Sequence, residues 1–182
     1  MKFKSRYRIE SARLRLWDYT SPGWYFVTVC TKQFNIYFGK IDHGGIIMND
    51  LGQTANQYWA DIPEHHDNTA IDEFIVMPNH IHGIIIIAET LGVDTSHVET
   101  LHATSLPSPT RPSISPPKGS LGVIVRSFKS VVTRWARMNG YPNFAWQPRF
   151  FDHIIRNEDA LSQIRIYIQN NPQKWENDKY FR

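Results

Sequence analysis

The sequence predicts an α+β protein: a ferredoxin-like antiparallel sheet with helices packed on it. Three observations predict it. Short β-branched and aromatic runs alternate with helical patterns in the order strands, helix, strands, helix, strand, helix. The helical patterns are amphipathic, so each has a face to bury. The run 84–88 is continuously apolar, as in a central strand covered on both sides.

Each element has its own signal. Residues 1–18 are basic and polar and read as an arm, carrying Arg6, Arg8, Arg13 and Arg15. Residues 24–31 are aromatic and β-branched, which predicts a strand. Gly44-Gly45 opens a short apolar run at 46–48, a second strand. Asn49 or Asp50 can cap a helix over 51–61 that Pro63 stops. Residues 71–77 predict a third strand, Pro78-Asn79 a turn, and 80–88 a fourth strand. Residues 89–118 lose all periodicity; Pro107, Pro109, Pro112, Pro116 and Pro117 stand among serines and threonines. This stretch reads as a flexible loop interrupting a single domain of residues 19–182.

The pattern then resumes. At about 100° per residue, Leu121, Ile124, Val125, Phe128, Val131, Val132, Trp135 and Met138 share one helix face. Arg126, Lys129, Arg134 and Arg137 share the opposite one. Residues 150–155 predict another strand. Asn157 caps a last helix, with Glu158 and Asp159 at its positive end; it stops near Asn171, before Pro172.

Composition limits the classes of function. A chain of 182 residues with 41% hydrophobic and 13% aromatic content can bury one core. The run 84–88 is too short to span a bilayer, so no membrane role is expected. No apolar signal core follows the charged N-terminus, which makes a cytoplasmic protein the expectation. Cys30 stands alone, which excludes an internal disulfide and a cysteine-built zinc site. The net charge of +3 says little by itself; the clustering of the basic residues says more.

Two groups of residues point to chemistry. His80 and His82 flank Ile81 at the start of a strand. Alternate strand residues share a face, about 6–7 Å apart at the backbone, so two imidazoles can converge on one ion. The plain reading is two histidines that end a turn. Tyr167 lies at the edge of a helical stripe formed by Leu161, Ile164 and Ile168, and Asn171 follows one turn later on the same side. Its plain reading is an amphipathic tyrosine whose ring packs and whose hydroxyl stays wet. Together the groups say more. A phenol with a pKa of about 10 is a poor nucleophile at neutral pH unless a base or a metal assists it. Two imidazoles and the Asn171 amide oxygen would make a mixed nitrogen–oxygen metal site suited to Mn²⁺ or Mg²⁺, with zinc still open.

These residues carry a resemblance. The stretch Met77-Pro78-Asn79-His80-Ile81-His82-Gly83 resembles the HUH motif of IS200/IS605-type tyrosine transposases. Tyr167-Ile168-Gln169-Asn170-Asn171-Pro172 resembles their nucleophile motif. Residues 24–31, Phe151-Asp152-His153-Ile154-Ile155-Arg156-Asn157, and Asn170-Asn171-Pro172 followed by Trp175 are similar to the REP-associated branch. The resemblance runs from about residue 19 to 178 without the Pro-rich loop. It implies a ferredoxin-like, metal-dependent enzyme that cuts single-stranded DNA beside a hairpin. Tyr167 would attack the phosphate, leaving a 5′-phosphotyrosine and a 3′-hydroxyl, and a second DNA end would reverse the reaction. Many relatives carry glutamine as the third ligand where Asn171 stands here. Such enzymes act as monomers or homodimers.

The remaining residues are weaker candidates. His153 reads as structural or DNA-positioning, and His65-His66 as an exposed loop pair. The arm arginines and the face of Arg126, Lys129, Arg134 and Arg137 suit phosphate contacts. Three other readings stay open. One is a non-catalytic nucleic-acid module that stacks bases on Tyr25 and Phe26. Another is a histidine-pair phosphoesterase, which would need a second histidine motif. The third is a domesticated transposase.

Overall fold

The computed structural model describes residues 2–3, 6–7, 17–89, 117–178 and 180–181. Two short strands, β1 (Lys2–Phe3) and β2 (Arg6–Tyr7), pair only with each other. Arg8, Arg13 and Arg15 of the expected arm lie outside the described residues, as does most of the Pro-rich stretch with His97 and His102.

The sheet is built from β3 (Gly23–Cys30), β6 (Thr69–Met77), β7 (His80–Ile87) and β8 (Phe151–Ile155). The strands run antiparallel in the order β6-β7-β3-β8. That order, with helical segments between β3 and β6 and a helix between β7 and β8, is the ferredoxin-like topology that the sequence predicts. β8 follows the Pro-rich stretch, yet it pairs with β3, which precedes it.

The short run at 46–48 does form a strand, but not in this sheet. β4 (Gly39–Asp42) and β5 (Gly45–Met48) make a separate hairpin. It leads into α1 (Asp50–Ala60), which Asn49 caps by accepting from the Gly52 N–H at 2.9 Å. A single helical turn, α2 (Ile62–His65), follows, so His65-His66 closes a turn of helix instead of lying in a loop. α3 (Leu121–Met138) and α4 (Glu158–Gln169) complete the layers.

The helices divide between the two sheet faces. α1 and α3 cover one face, where Tyr25, Val27, Val29, Ile81 and Ile85 meet Trp59, Ile124, Phe128 and Val132. α4 covers the other, where Leu161 and Ile168 pack on Phe26, Ile84 and Ile155. β7 is therefore buried on both sides, as its apolar run predicts. Two residues depart from the expected α3 stripe: Val131 and Met138 are exposed, while Ala136 is buried. The buried arc is narrower than the apolar arc because α3 docks on one sheet face.

At Gly83 the α1 layer approaches the sheet closely. A Cβ built there would lie 2.6 Å from Cζ2 of Trp59 and 2.8 Å from Cβ of Phe74. The glycine after the histidine pair thus leaves room for the Trp59 ring against β7.

Candidate functional site

The alternation of β7 puts His80 and His82 on the face that α4 covers, while Ile81 enters the opposite core. The two imidazole rings lie 4.4 Å apart between centroids and are almost fully buried. Both are held through Nδ1.

For His80 the tautomer follows from its neighbours. The Asn79 amide donates to the carbonyls of Phe34 (3.0 Å) and Tyr180 (2.8 Å), which fixes its nitrogen. Its Oδ1 therefore faces His80 and accepts from Nδ1–H at 2.8 Å. The His80 Nε2 lone pair is left to point into the site. Trp175 stacks on this ring at 5.9 Å.

For His82 the partner is the Thr28 hydroxyl, 2.8 Å from Nδ1. Thr28 bonds the Tyr180 phenol as well. A hydroxyl that donates to Tyr180 can accept from His82 Nδ1–H. His82 Nε2 then carries a lone pair, and the Tyr167 phenol sits 3.1 Å away from it.

α4 brings Tyr167 there through its docking contacts. The Arg165 guanidinium grips the Asp72 carboxylate of β6 with Nε at 2.8 Å and Nη2 at 2.5 Å, and lies over Trp24. Gln169 donates to Glu73 at 3.1 Å. The Tyr167 ring meets Phe26 edge-on at 6.1 Å and remains 40% exposed, so its hydroxyl is reachable from solvent. Partial burial, and then the negative charge of Asp178, push its pKa up to about 12. The phenol is therefore protonated across the neutral range and needs an acceptor to react.

Asp178 is the residue that the sequence reading missed. After α4 the chain turns through a 3-10 segment, Pro172–Asn177, and folds back under the histidines. His80, His82 and Asp178 each offer a ligand atom, and these atoms lie within 4.8 Å of one another. Asn171, expected as the oxygen ligand, is buried in the same place. Its amide nitrogen donates to Asp178 at 3.0 Å, while its Oδ1 has no hydrogen-bond partner among the described residues. Two imidazoles, a carboxylate and an unsatisfied amide oxygen are a donor set that fits a divalent cation. Tyr180 lies 4.8 Å from the His80 ring, and burial pushes its phenol up to about 12.

Beside Tyr167 a cleft of about 370 Å³ is lined by Phe26, Asn171, Lys174, Asn177 and Asp178. Lys174 adds a positive charge that the sequence reading did not single out.

The other expected residues lie elsewhere. Arg126, Arg134 and Arg137 are exposed and line a groove of about 550 Å³ with Trp146, on the α3 side of the sheet. Lys129 lines the same groove but turns inward. Its ammonium donates to the carbonyls of Gln147 (2.7 Å) and Arg149 (2.9 Å), and burial lowers its pKa to about 8. Tyr25 is fully buried in the α1/α3 core, so it offers no face for a base; Phe26 is on the site face. His153 is exposed on β8, across from Phe26.

No family model matches the chain. A Haemophilus influenzae protein described as uncharacterized is 41% identical over 174 residues, covering 94% of this chain and 92% of its own length. Among solved structures, a REP-associated tyrosine transposase bound to a REP hairpin superposes with a TM-score of 0.55 at 19% identity. The match covers 91% of this chain and 74% of that one. The chain belongs to one family with the Haemophilus influenzae protein, and its fold is that of the REP-associated tyrosine transposase.

Proposed function

We propose that the protein is a metal-dependent single-stranded-DNA endonuclease and strand-transferase that works through a 5′-phosphotyrosine on Tyr167. The observation that carries this reading is the 3.1 Å approach of the Tyr167 phenol to Nε2 of His82, beside a donor set of His80, His82 and Asp178. An ordinary amphipathic tyrosine has no reason to meet a buried imidazole pair.

His80, His82 and Asp178 would hold a divalent cation, Mn²⁺ or Mg²⁺, with the Asn171 oxygen as a further donor. Held there, a divalent cation would polarise the phosphate and make phosphorus more electrophilic. The chain's own residues do the rest. Asn79 and Thr28 hold both rings with Nε2 inward. Lys174 offers its ammonium to the phosphate charge. The His82 Nε2 lone pair would be given to the cation, so the acceptor that faces the phenol proton is the Asp178 carboxylate. As the Tyr167 oxygen bonds to phosphorus, this proton leaves and the bond from phosphorus to the 3′ oxygen breaks. The 3′ oxygen takes up a proton and departs as a hydroxyl. One phosphodiester bond is exchanged for another, so a second 3′ end can reverse the step without an external energy source.

The likeness in fold to a structure that holds a REP hairpin supports a DNA partner. A hairpin with a single-stranded flank is the substrate proposed here. The groove of Arg126, Arg134 and Arg137 would meet the stem phosphates, and the flank would enter the Tyr167 cleft. Action in the cytoplasm, as a monomer or homodimer, fits this role.

The test is a covalent adduct. Single-stranded DNA from the flanks of the protein's own gene, incubated with Mn²⁺, should give a shifted band on a denaturing gel. Tyr167→Phe should abolish that band while hairpin binding stays near wild type. An undiminished adduct in the Phe variant would remove Tyr167 from the mechanism.

A further inference from the structure

β8 lies at the edge of the sheet, paired with β3 on its inner side. The strand register places Phe151, Thr28 and His82 in one row across the sheet, and His153, Phe26 and Ile84 in the next. These six residues share the face that carries the site. Neighbouring strands lie about 4.8 Å apart, so β8 is roughly 10 Å from the His82 strand. Phe26 fills the interval, with its ring 5.4 Å from His82 and 6.1 Å from Tyr167.

α4 leaves the outer margin of this face uncovered. Phe151 is 42% exposed, and His153 is exposed beside it. A cavity of about 530 Å³ wraps the edge, and its lining includes Tyr19, Phe151, His153, Arg156 and Asn157. Aromatic rings next to a guanidinium and an amide are the groups that hold an unpaired nucleotide: the base stacks and the cation meets the backbone. Asp152 also lines this cavity but is buried, so the charge exposed at its rim is that of Arg156, which suits a polyanion.

We propose that Phe151 and His153 form a stacking shelf for an unpaired base of the DNA strand whose phosphate lies at Tyr167, with Arg156 contacting the adjoining backbone. This inference rests on the nuclease reading, because the shelf is defined by its distance from that phosphate. The shelf selects for single strands. A base within a duplex has both faces stacked and cannot offer one to Phe151 without leaving its helix.

The experiment uses the full chain with Tyr167→Phe, so that cleavage does not disturb binding. A fluorescein-labelled oligothymidylate and a duplex of equal length are titrated by anisotropy at fixed salt. Phe151→Thr keeps β propensity and removes the ring. It should weaken single-strand binding about tenfold, as loss of one stacked base does, and leave duplex binding nearly unchanged. Phe151→Trp should restore or strengthen the strand affinity. A 2-aminopurine placed in the strand should be quenched on binding, and Phe151→Thr should relieve the quench. Unchanged strand affinity in a Phe151→Thr protein that melts like its parent would overturn the shelf, and so would equal losses for strand and duplex. The adduct assay separates the two readings. Adduct formation with unaltered Phe151→Thr binding rejects the shelf alone. A Phe151-dependent strand preference in a protein that never forms the adduct rejects the chemistry alone.

Discussion

The histidine pair is positioned by neutral neighbours. Asn79 and Thr28 set the tautomers, and neither adds charge to the site. Thr28→Val removes the hydroxyl at nearly constant volume and should cost about 10–100-fold in metal affinity, as loss of such outer partners does. Calorimetric titration with Mn²⁺ reads this directly. His80→Ala and His82→Ala should abolish metal-dependent cleavage, and Asp178→Ala should impair it strongly. Asn171→Ala should do less, because water can replace a neutral amide oxygen. Unchanged Mn²⁺ binding in both histidine variants would contradict the assignment. Gly83 is constrained from the opposite core. Gly83→Ala forces a methyl group against Trp59 and should cost about 1–3 kcal/mol of stability, visible as a lowered Tm.

At the scale of elements, α4 is the part whose placement decides the chemistry, and polar contacts latch it. The hydrogen bonds from Arg165 hold the Asp72 carboxyl below its ordinary value. A carboxylate depressed in the folded state adds stability that is present above its unfolded pKa of about 4 and is lost as pH falls through the lower folded value. Asp72→Asn should therefore melt below wild type at neutral pH, and the two melting curves should converge in acid. A constant gap at every pH would mean that the pair contributes packing and not charge. This latch was not legible in the sequence, because Asp72 and Arg165 are far apart along the chain and each looks like an ordinary surface charge. The elements themselves were legible. β6, β7, α1 and α3 keep nearly the bounds that their periodicity and caps imply, since buried stripes leave a periodic record. The β4–β5 hairpin was half seen, because its apolar run is too short to say which sheet it joins. Asp178 was invisible for a related reason. It follows a proline-initiated turn with no period, and only the fold-back of Pro172–Asn177 brings it to the histidines. Lys129 looked like one of four basic residues on a helix face, and only the 147–149 loop shows that it points inward.

Seen whole, the molecule has two candidate contact sides. The Tyr167 cleft lies on the α4 face, and the groove of Arg126, Arg134 and Arg137 on the α3 side. The segment 147–150 joins that groove to β8, so a nucleic acid touching both sides would pass around the β8 edge. Replacing the three arginines with alanine should lower the log–log salt slope of hairpin binding by about 2–3, at roughly 0.7–0.9 per lost phosphate contact. Lys129→Met should leave the slope alone and lower Tm, because its ammonium is spent on two carbonyls. Identical slopes in the triple variant would move the stem contact to another surface. A further consequence lies in how the site is put together. Tyr167 reaches His82 of its own chain, with His80 and Asp178 beside them, so under the proposed function one copy would carry the whole site. Co-incubating Tyr167→Phe with His82→Ala should therefore rescue nothing, and specific activity should hold constant on dilution. Recovery of activity in the mixture would reveal that copies exchange their last helices in solution.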